Sequence, residues 1–131
     1  MSRFALGTNT LSYFMRGEGR VAQKLQAISP QQVAIPAIVA YEIRHGLSRS
    51  VRRPLATAFE HMLRMVVVLA FDADAAEHGA DIRRRLDGAG TLTGPHDVLI
   101  AATARRYGCT LVTHNTREFA RVTGLQIDDW Y

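Results

Sequence analysis

Lysine is almost missing from this chain: of sixteen basic residues only Lys24 is lysine, and the rest are arginine. Arginine's planar fork suits bidentate phosphate binding and so fits a nucleic-acid partner, although codon bias in a GC-rich genome explains the usage equally well. The excess is modest, a formal net charge of +4, which permits RNA binding without requiring it. Cysteine is scarce too. A lone Cys109 excludes an intramolecular disulfide and favours a reducing interior. No apolar run approaches the ~20 residues of a membrane span; the longest lies around Met65–Phe71. The opening MSRFALGTNT lacks the apolar core and cleavage site of a signal peptide, so a cytoplasmic protein without membrane association is expected. Gly7-Thr8-Asn9-Thr10 is not a GxGxxG fingerprint, which argues against a dinucleotide site. The five histidines, at 45, 61, 78, 96 and 114, show no metal-ligand spacing and are expected on the surface or in packing.

What is present reads as one domain of 131 residues, large enough for a hydrophobic core. Arg3–Leu6 is a short strand, after which Thr8 or Asn9 can cap a helix through Leu11, Phe14 and Met15 to Gly17. Val21–Ile28 has helical spacing and ends at Ser29-Pro30. Val33–Ile35 is the next strand. Pro36 opens a helix whose core stripe is Ile38, Val39, Ile43 and Leu47, with Glu42 unusually close beside that stripe. A helix over 54–64 precedes the β-branched run Met65–Phe71, which reads as a strand covered on both faces. Asp72 or Asp74 caps a helix over 75–86. Pro95 suits the first position of another, with Asp97 in its first turn, Arg105 and Arg106 at its end and Gly108 as its left-handed stop. Cys109–Thr113 reads as a buried strand, and 124–127 as a last edge strand. This alternation predicts an α/β fold: a mostly parallel sheet of four or five strands flanked by helices.

Polar chemistry gathers where the strands end: Gly7–Asn9, Asp97, and Asn115 with Glu118. Glu42 follows the second strand. Should strands one and four be neighbours, these groups converge at the rim where open α/β sheets bind ligands. Carboxylates and amides without clustered cysteine or histidine favour a hard cation such as Mg²⁺ or Mn²⁺. Such an ion can activate a hydroxide and stabilise charge developing on a phosphodiester. Plain structural roles stand beside this one. Asp97 is favoured by the helix dipole alone, Glu42 can pair with Arg44, Thr8 and Asn9 can be simple caps, and Glu118 a solvated helix residue.

The segments GPHDVLIAA (94–102) and LVTHNTREF (111–119) resemble the third and fourth motifs of PIN-domain ribonucleases, and more narrowly the VapC toxins of bacterial toxin–antitoxin pairs. The likeness runs through nearly the whole chain: the FALxTNT opening, Tyr41-Glu42 followed by His45-Gly46, Ile82-Arg83, and the Gly124-Leu125 to Asp129-Trp130 ending. It implies a single PIN domain over 1–131, built as an α/β/α sandwich. It further implies an endoribonuclease dependent on Mg²⁺ or Mn²⁺, held inactive by a VapB-type antitoxin and forming homodimers. Its RNA substrate would be a tRNA, in the most similar branch initiator tRNA cut in the anticodon loop. Carried onto this chain, the catalytic positions are Gly7, Glu42, Asp97, Asn115 and Glu118, with the metal at 7 and Asp97.

One position departs from the pattern. The family closes its first strand with leucine–aspartate–threonine–asparagine, and this chain reads Leu6-Gly7-Thr8-Asn9. Asn115 also stands where many PIN domains have aspartate, though Asn with Glu118 beside it is common in the toxin branch. A glycine at 7 leaves Glu42, Asp97 and Glu118 to hold the ion, so a dead or severely weakened enzyme is expected. Substitution or selection against a lethal activity, or a natural degenerate copy, would both produce it; the intact remainder favours the former. Removing a carboxylate from a crowded site need not hurt folding. RNA can still dock through arginines among Arg49, Arg52, Arg53, Arg83, Arg84, Arg85 and Arg117. The alternative function is a non-catalytic PIN-fold protein that binds antitoxin or RNA. A receiver-like signalling domain ranks below both, lacking the acidic pair after strand one. For the antitoxin, Phe14, Met15, Phe59 and Met62 are the candidate apolar contacts.

Overall fold

A computed structural model describes residues 3–48, 53–89 and 94–131. Five short strands, β1 (Phe4–Leu6), β2 (Val33–Pro36), β3 (Val67–Leu69), β4 (Thr110–Val112) and β5 (Ile127–Asp128), form one sheet in the order β3-β2-β1-β4-β5. Every pairing among them is parallel. The helices α1 (Thr8–Arg16), α2 (Val21–Gln26), α3 (Ala37–Ser48), α4 (Arg53–Met65), α5 (Ala73–Gly88), α6 (Pro95–Arg106) and α7 (Thr116–Phe119) flank it. The expected α/β architecture is present, and strands one and four are indeed neighbours.

That order sets the functional geometry. From β1 the chain winds outward to β2 and β3, then returns to place β4 on the other side of β1. The reversal opens a crevice past the carboxyl ends of β1 and β4, where α/β sheets bind ligands. The centre of the sheet is apolar on both faces: Leu6, Ile35, Leu111 and Val112 are fully buried, as are Leu11 and Val39 from the helices packed over them.

Several boundaries differ from the sequence reading, each for a local reason. Pro36 ends β2, paired with Leu69, instead of opening α3. Residues 66–71 do not form a strand covered on both faces. Met65 closes α4, β3 spans only Val67–Leu69, and it lies at the sheet edge with Val68 47% exposed. A β-branched run satisfies an edge strand as well as a central one, so composition alone does not distinguish them. α2 stops at Gln26, short of Ile28. The last strand falls at Ile127–Asp128, because Gly124 (φ +79°) turns the chain before it reaches β4. Asp72 is the cap of α5, its Oδ1 accepting the Ala75 N–H at 2.9 Å. No helix among the described residues is long and apolar enough to cross a membrane.

Candidate active site

Five elements place groups around the crevice. β1 ends at Leu6, so Gly7 sits at the sheet rim as the cap residue of α1, its N–H donating to the Val112 carbonyl at 3.0 Å. α1 begins immediately, which puts Thr8 and Asn9 beside it. β4 ends at Val112, so Thr113 and Asn115 emerge next door. α6 starts at Pro95 and turns Asp97 inward, and Glu42 arrives from the middle of α3. Gly7, Thr8, Asn9, Glu42, Asp97, Thr113 and Asn115 line one cavity of about 120 Å³, with Ile100, Leu111 and Phe119 as its apolar walls.

The hydrogen bonds decide between the readings left open above. Thr8 is no side-chain cap; its hydroxyl donates to Glu42 Oε1 at 2.7 Å, across two elements. Glu42 does not pair with Arg44, whose guanidinium forms a two-pronged bridge to Glu60 at 2.7 and 2.8 Å. Glu118 does not line the cavity. It stands behind Asn115, accepting the Asn115 side-chain N–H at 3.0 Å. Asp97 is half-buried: burial pushes its carboxyl above the usual range, the negative charges of Glu118 and Glu42 push it further, and His96 opposes them.

The negative charge that Glu118 and Glu42 press on Asp97 is what a divalent cation would relieve, yet the donor set falls short. Among the described residues no group of three or more His, Cys, Asp or Glu side chains converges closely enough to hold a metal ion. A Cβ built at position 7 would meet only the Val112 carbonyl, at 3.2 Å, and the glycine offers the cavity no oxygen of its own side chain. The residues present therefore do not fit a metal held by three carboxylates.

The structure brings Gly7, Glu42, Asp97 and Asn115 to one cavity and leaves Glu118 one contact away. His96, expected simply at the surface or in packing, stands at the rim with Nδ1 3.3 Å from Glu42 Oε2 and its ring edge-on to Tyr41. Its place one residue before Asp97, in the first turn of α6, was the available signal. Of the arginines considered for phosphate contacts, Arg49 and Arg52 lie outside the described residues. Arg83, Arg84 and Arg85 are exposed on α5 and pair with Asp87 and Asp81, while Arg53 and Arg117 are exposed on α4 and α7.

Residues 5–125 match the PIN domain family. Over 132 aligned residues the chain is 33% identical to the tRNA(fMet)-specific endonuclease VapC of Salmonella typhimurium, and 34% identical to that of Shigella flexneri, covering 99% of each protein and of this chain. Among solved structures it superposes on DNA-bound VapBC from Salmonella typhimurium with a TM-score of 0.91 and 31% identity, covering both chains fully. It superposes on VapBC2 from Rickettsia felis bound to a promoter DNA fragment with a TM-score of 0.88 and 27% identity over 98% of each chain.

Proposed function

The chain belongs to the PIN-domain family, among the VapC ribonucleases of toxin–antitoxin systems, and we propose that it is an RNA-cutting toxin whose cation site is incomplete at position 7. The observation that carries this is the meeting of Gly7, Glu42, Asp97 and Asn115 around one cavity at the β1/β4 reversal. Asp97 and Glu42 are the acidic groups that face a phosphodiester there. Thr8 fixes Glu42 through its hydroxyl, and Asn115 joins Glu118 to the same charge network. Two carboxylates without a third leave the Mg²⁺ or Mn²⁺ of the intact family site poorly held. The chain as it stands is accordingly inactive or severely impaired. The substrate proposed is tRNA, with initiator tRNA first, as in the relatives named tRNA(fMet)-specific.

The backbone at position 7 does not call for glycine. Its φ of −74° and ψ of 166° are extended values open to any residue, and the Val112 carbonyl need yield only a few tenths of an ångström to a Cβ. The test is therefore Gly7→Asp. Mg²⁺-dependent cleavage of initiator tRNA is expected to rise at least about a hundredfold over the parent chain, a gain of the size that polar groups placed at a reacting centre supply. Equal, negligible cleavage by the two proteins would overturn the nuclease reading.

The partner proposed is a VapB-type antitoxin, since the solved relatives are VapBC assemblies. A second cleft, of about 350 Å³, lies away from the carboxylates and is lined by Phe14, Met15, Phe59, Met62 and neighbouring apolar groups. It suits an apolar helical segment. A homodimer in a bacterial cytoplasm completes the proposal. The rival reading, a non-catalytic protein that occupies antitoxin or RNA, is favoured by the missing side chain at position 7 and separates from the first on the same reversion.

A further inference from the structure

One residue from the carboxylate cavity lies a cluster of rings that the proposed chemistry does not use. His114 sits between Thr113 and Asn115, both of which line the cavity. Its ring stacks on Tyr131, with centroids 4.4 Å apart and planes 24° from parallel. Tyr13 meets both rings edge-on, at 5.8 Å from His114 and 4.7 Å from Tyr131. Tyr13 also lies one helical turn beyond Asn9, so the same side of α1 carries a cavity residue and a ring.

The cluster is held in place from several directions. Asp129 accepts the Tyr131 N–H through Oδ1 at 3.0 Å and lies 2.9 Å from His114 Nδ1 through Oδ2. Burial pushes the Asp129 carboxyl up, but the Tyr131 N–H and His114 together outweigh it and hold the group below its ordinary value. The Arg20 N–H donates to the Trp130 carbonyl at 2.9 Å and its Nε to the Tyr131 backbone oxygen at 3.4 Å. At Gly19 (φ +67°) the chain passes so near that a Cβ would lie 2.8 Å from the Tyr131 Cα. Core packing explains Trp130, which is 3% exposed against Phe4; it does not explain Tyr131, whose ring is fixed and yet 47% exposed. The Arg16 guanidinium lies at the border, 5.4 Å from the Tyr13 ring centre, where it also bridges Glu18 at 3.1 and 3.3 Å.

Ordered, part-exposed rings with guanidinium groups at their edge are how proteins grip unpaired bases. We propose that His114, Tyr131 and Tyr13 form a stacking platform for an unpaired base of the RNA strand whose phosphodiester enters the Glu42–Asp97 cavity. This rests on the ribonuclease reading and adds to it a site for the nucleobase.

Because the parent chain is expected to cut poorly, binding can be read without turnover. A single-stranded RNA carrying 2-aminopurine should lose fluorescence on mixing with the parent chain, as the base stacks. Tyr131→Leu, which keeps bulk and removes the ring, is expected to weaken binding about tenfold and abolish the quench, whereas Tyr131→Phe keeps both. In the Gly7→Asp background, Tyr131→Leu should raise KM about tenfold with kcat little changed, a split that a merely structural role would not produce. Absence of quenching in the parent chain, which needs no variant to fold, would overturn the platform. So would unchanged binding by a Tyr131→Leu protein that melts normally. Either result alongside active Gly7→Asp leaves the nuclease reading standing, while quenching with inactive Gly7→Asp sinks the nuclease reading and the assignment of this platform to its substrate.

Discussion

Asp97 is a residue whose surroundings oppose its own charge. Half-buried, and under the negative charges of Glu118 and Glu42, it holds its proton above the ordinary value of 3.8. At pH below that value the group is protonated in both folded and unfolded chains and costs nothing. As pH rises past it, the unfolded chain loses the proton first, and stability falls until the folded-state value is passed. Asp97→Asn is therefore expected to raise the melting temperature by a few degrees at about pH 7 and to leave it unchanged at about pH 3, below the ordinary carboxylate value. Thermal melts followed by circular dichroism at the two pH values check this; an equal gain at both would mean that the stabilisation is not electrostatic. Gly7→Asp has the opposite sign, since it adds a carboxylate to the same pocket. Its melting temperature at neutral pH should fall, and divalent cation should restore it if the rebuilt site binds one.

At the scale of elements, the apolar cleft and the carboxylate cavity are lined by different residues, and they should separate by mutation. Met62, on α4, packs partly against the core and partly faces the cleft, so Met62→Lys should expel an apolar partner without unfolding the domain. Capture of a VapB-type antitoxin is expected to weaken by about 30-fold or more, the scale of an interface hot spot, while RNA binding holds. Titration calorimetry with the antitoxin reads it directly; unchanged affinity would remove the cleft from the interface. The elements themselves were legible to different degrees. α6 was plain, because Pro95 at its first position, Asp97 in its first turn and Gly108 (φ +67°) beyond its end all agree. β3 was not, because a run of valines satisfies an edge and a centre alike, and α3 lost its first expected residue to β2. Glu42 stood out as an acid beside an apolar stripe, and Asp97 by its place in the first turn of its helix. What no local pattern carried was partnership: that Thr8 would hold Glu42, that Arg44 would turn to Glu60, and that His114 would stack on Tyr131, a residue 17 positions away. Such contacts depend on strand order, and the pairing of β1 with β4 appears in the sequence only as a condition on the site.

For the whole molecule, charge and topology act together. The net charge of +4 is carried almost wholly by arginine, while Glu42 and Asp97 meet in the cavity at the β1/β4 reversal. An RNA strand drawn to the basic surface must bring its phosphate to an acidic pocket, where repulsion opposes binding unless a cation intervenes. A glycine at position 7 lessens that repulsion. Without divalent cation, this chain should thus hold RNA more tightly than its Gly7→Asp variant, the reverse of their order in cleavage. The arginine contribution should show as salt dependence. Contact with about three phosphates predicts a loss of about tenfold or more in affinity between about 50 and about 200 mM monovalent salt, with the same slope in both proteins. Fluorescence anisotropy of a labelled tRNA anticodon stem-loop in EDTA measures both quantities. A variant that bound RNA as tightly as the parent would place the phosphate away from position 7, and a flat salt response would take the arginines out of the interface.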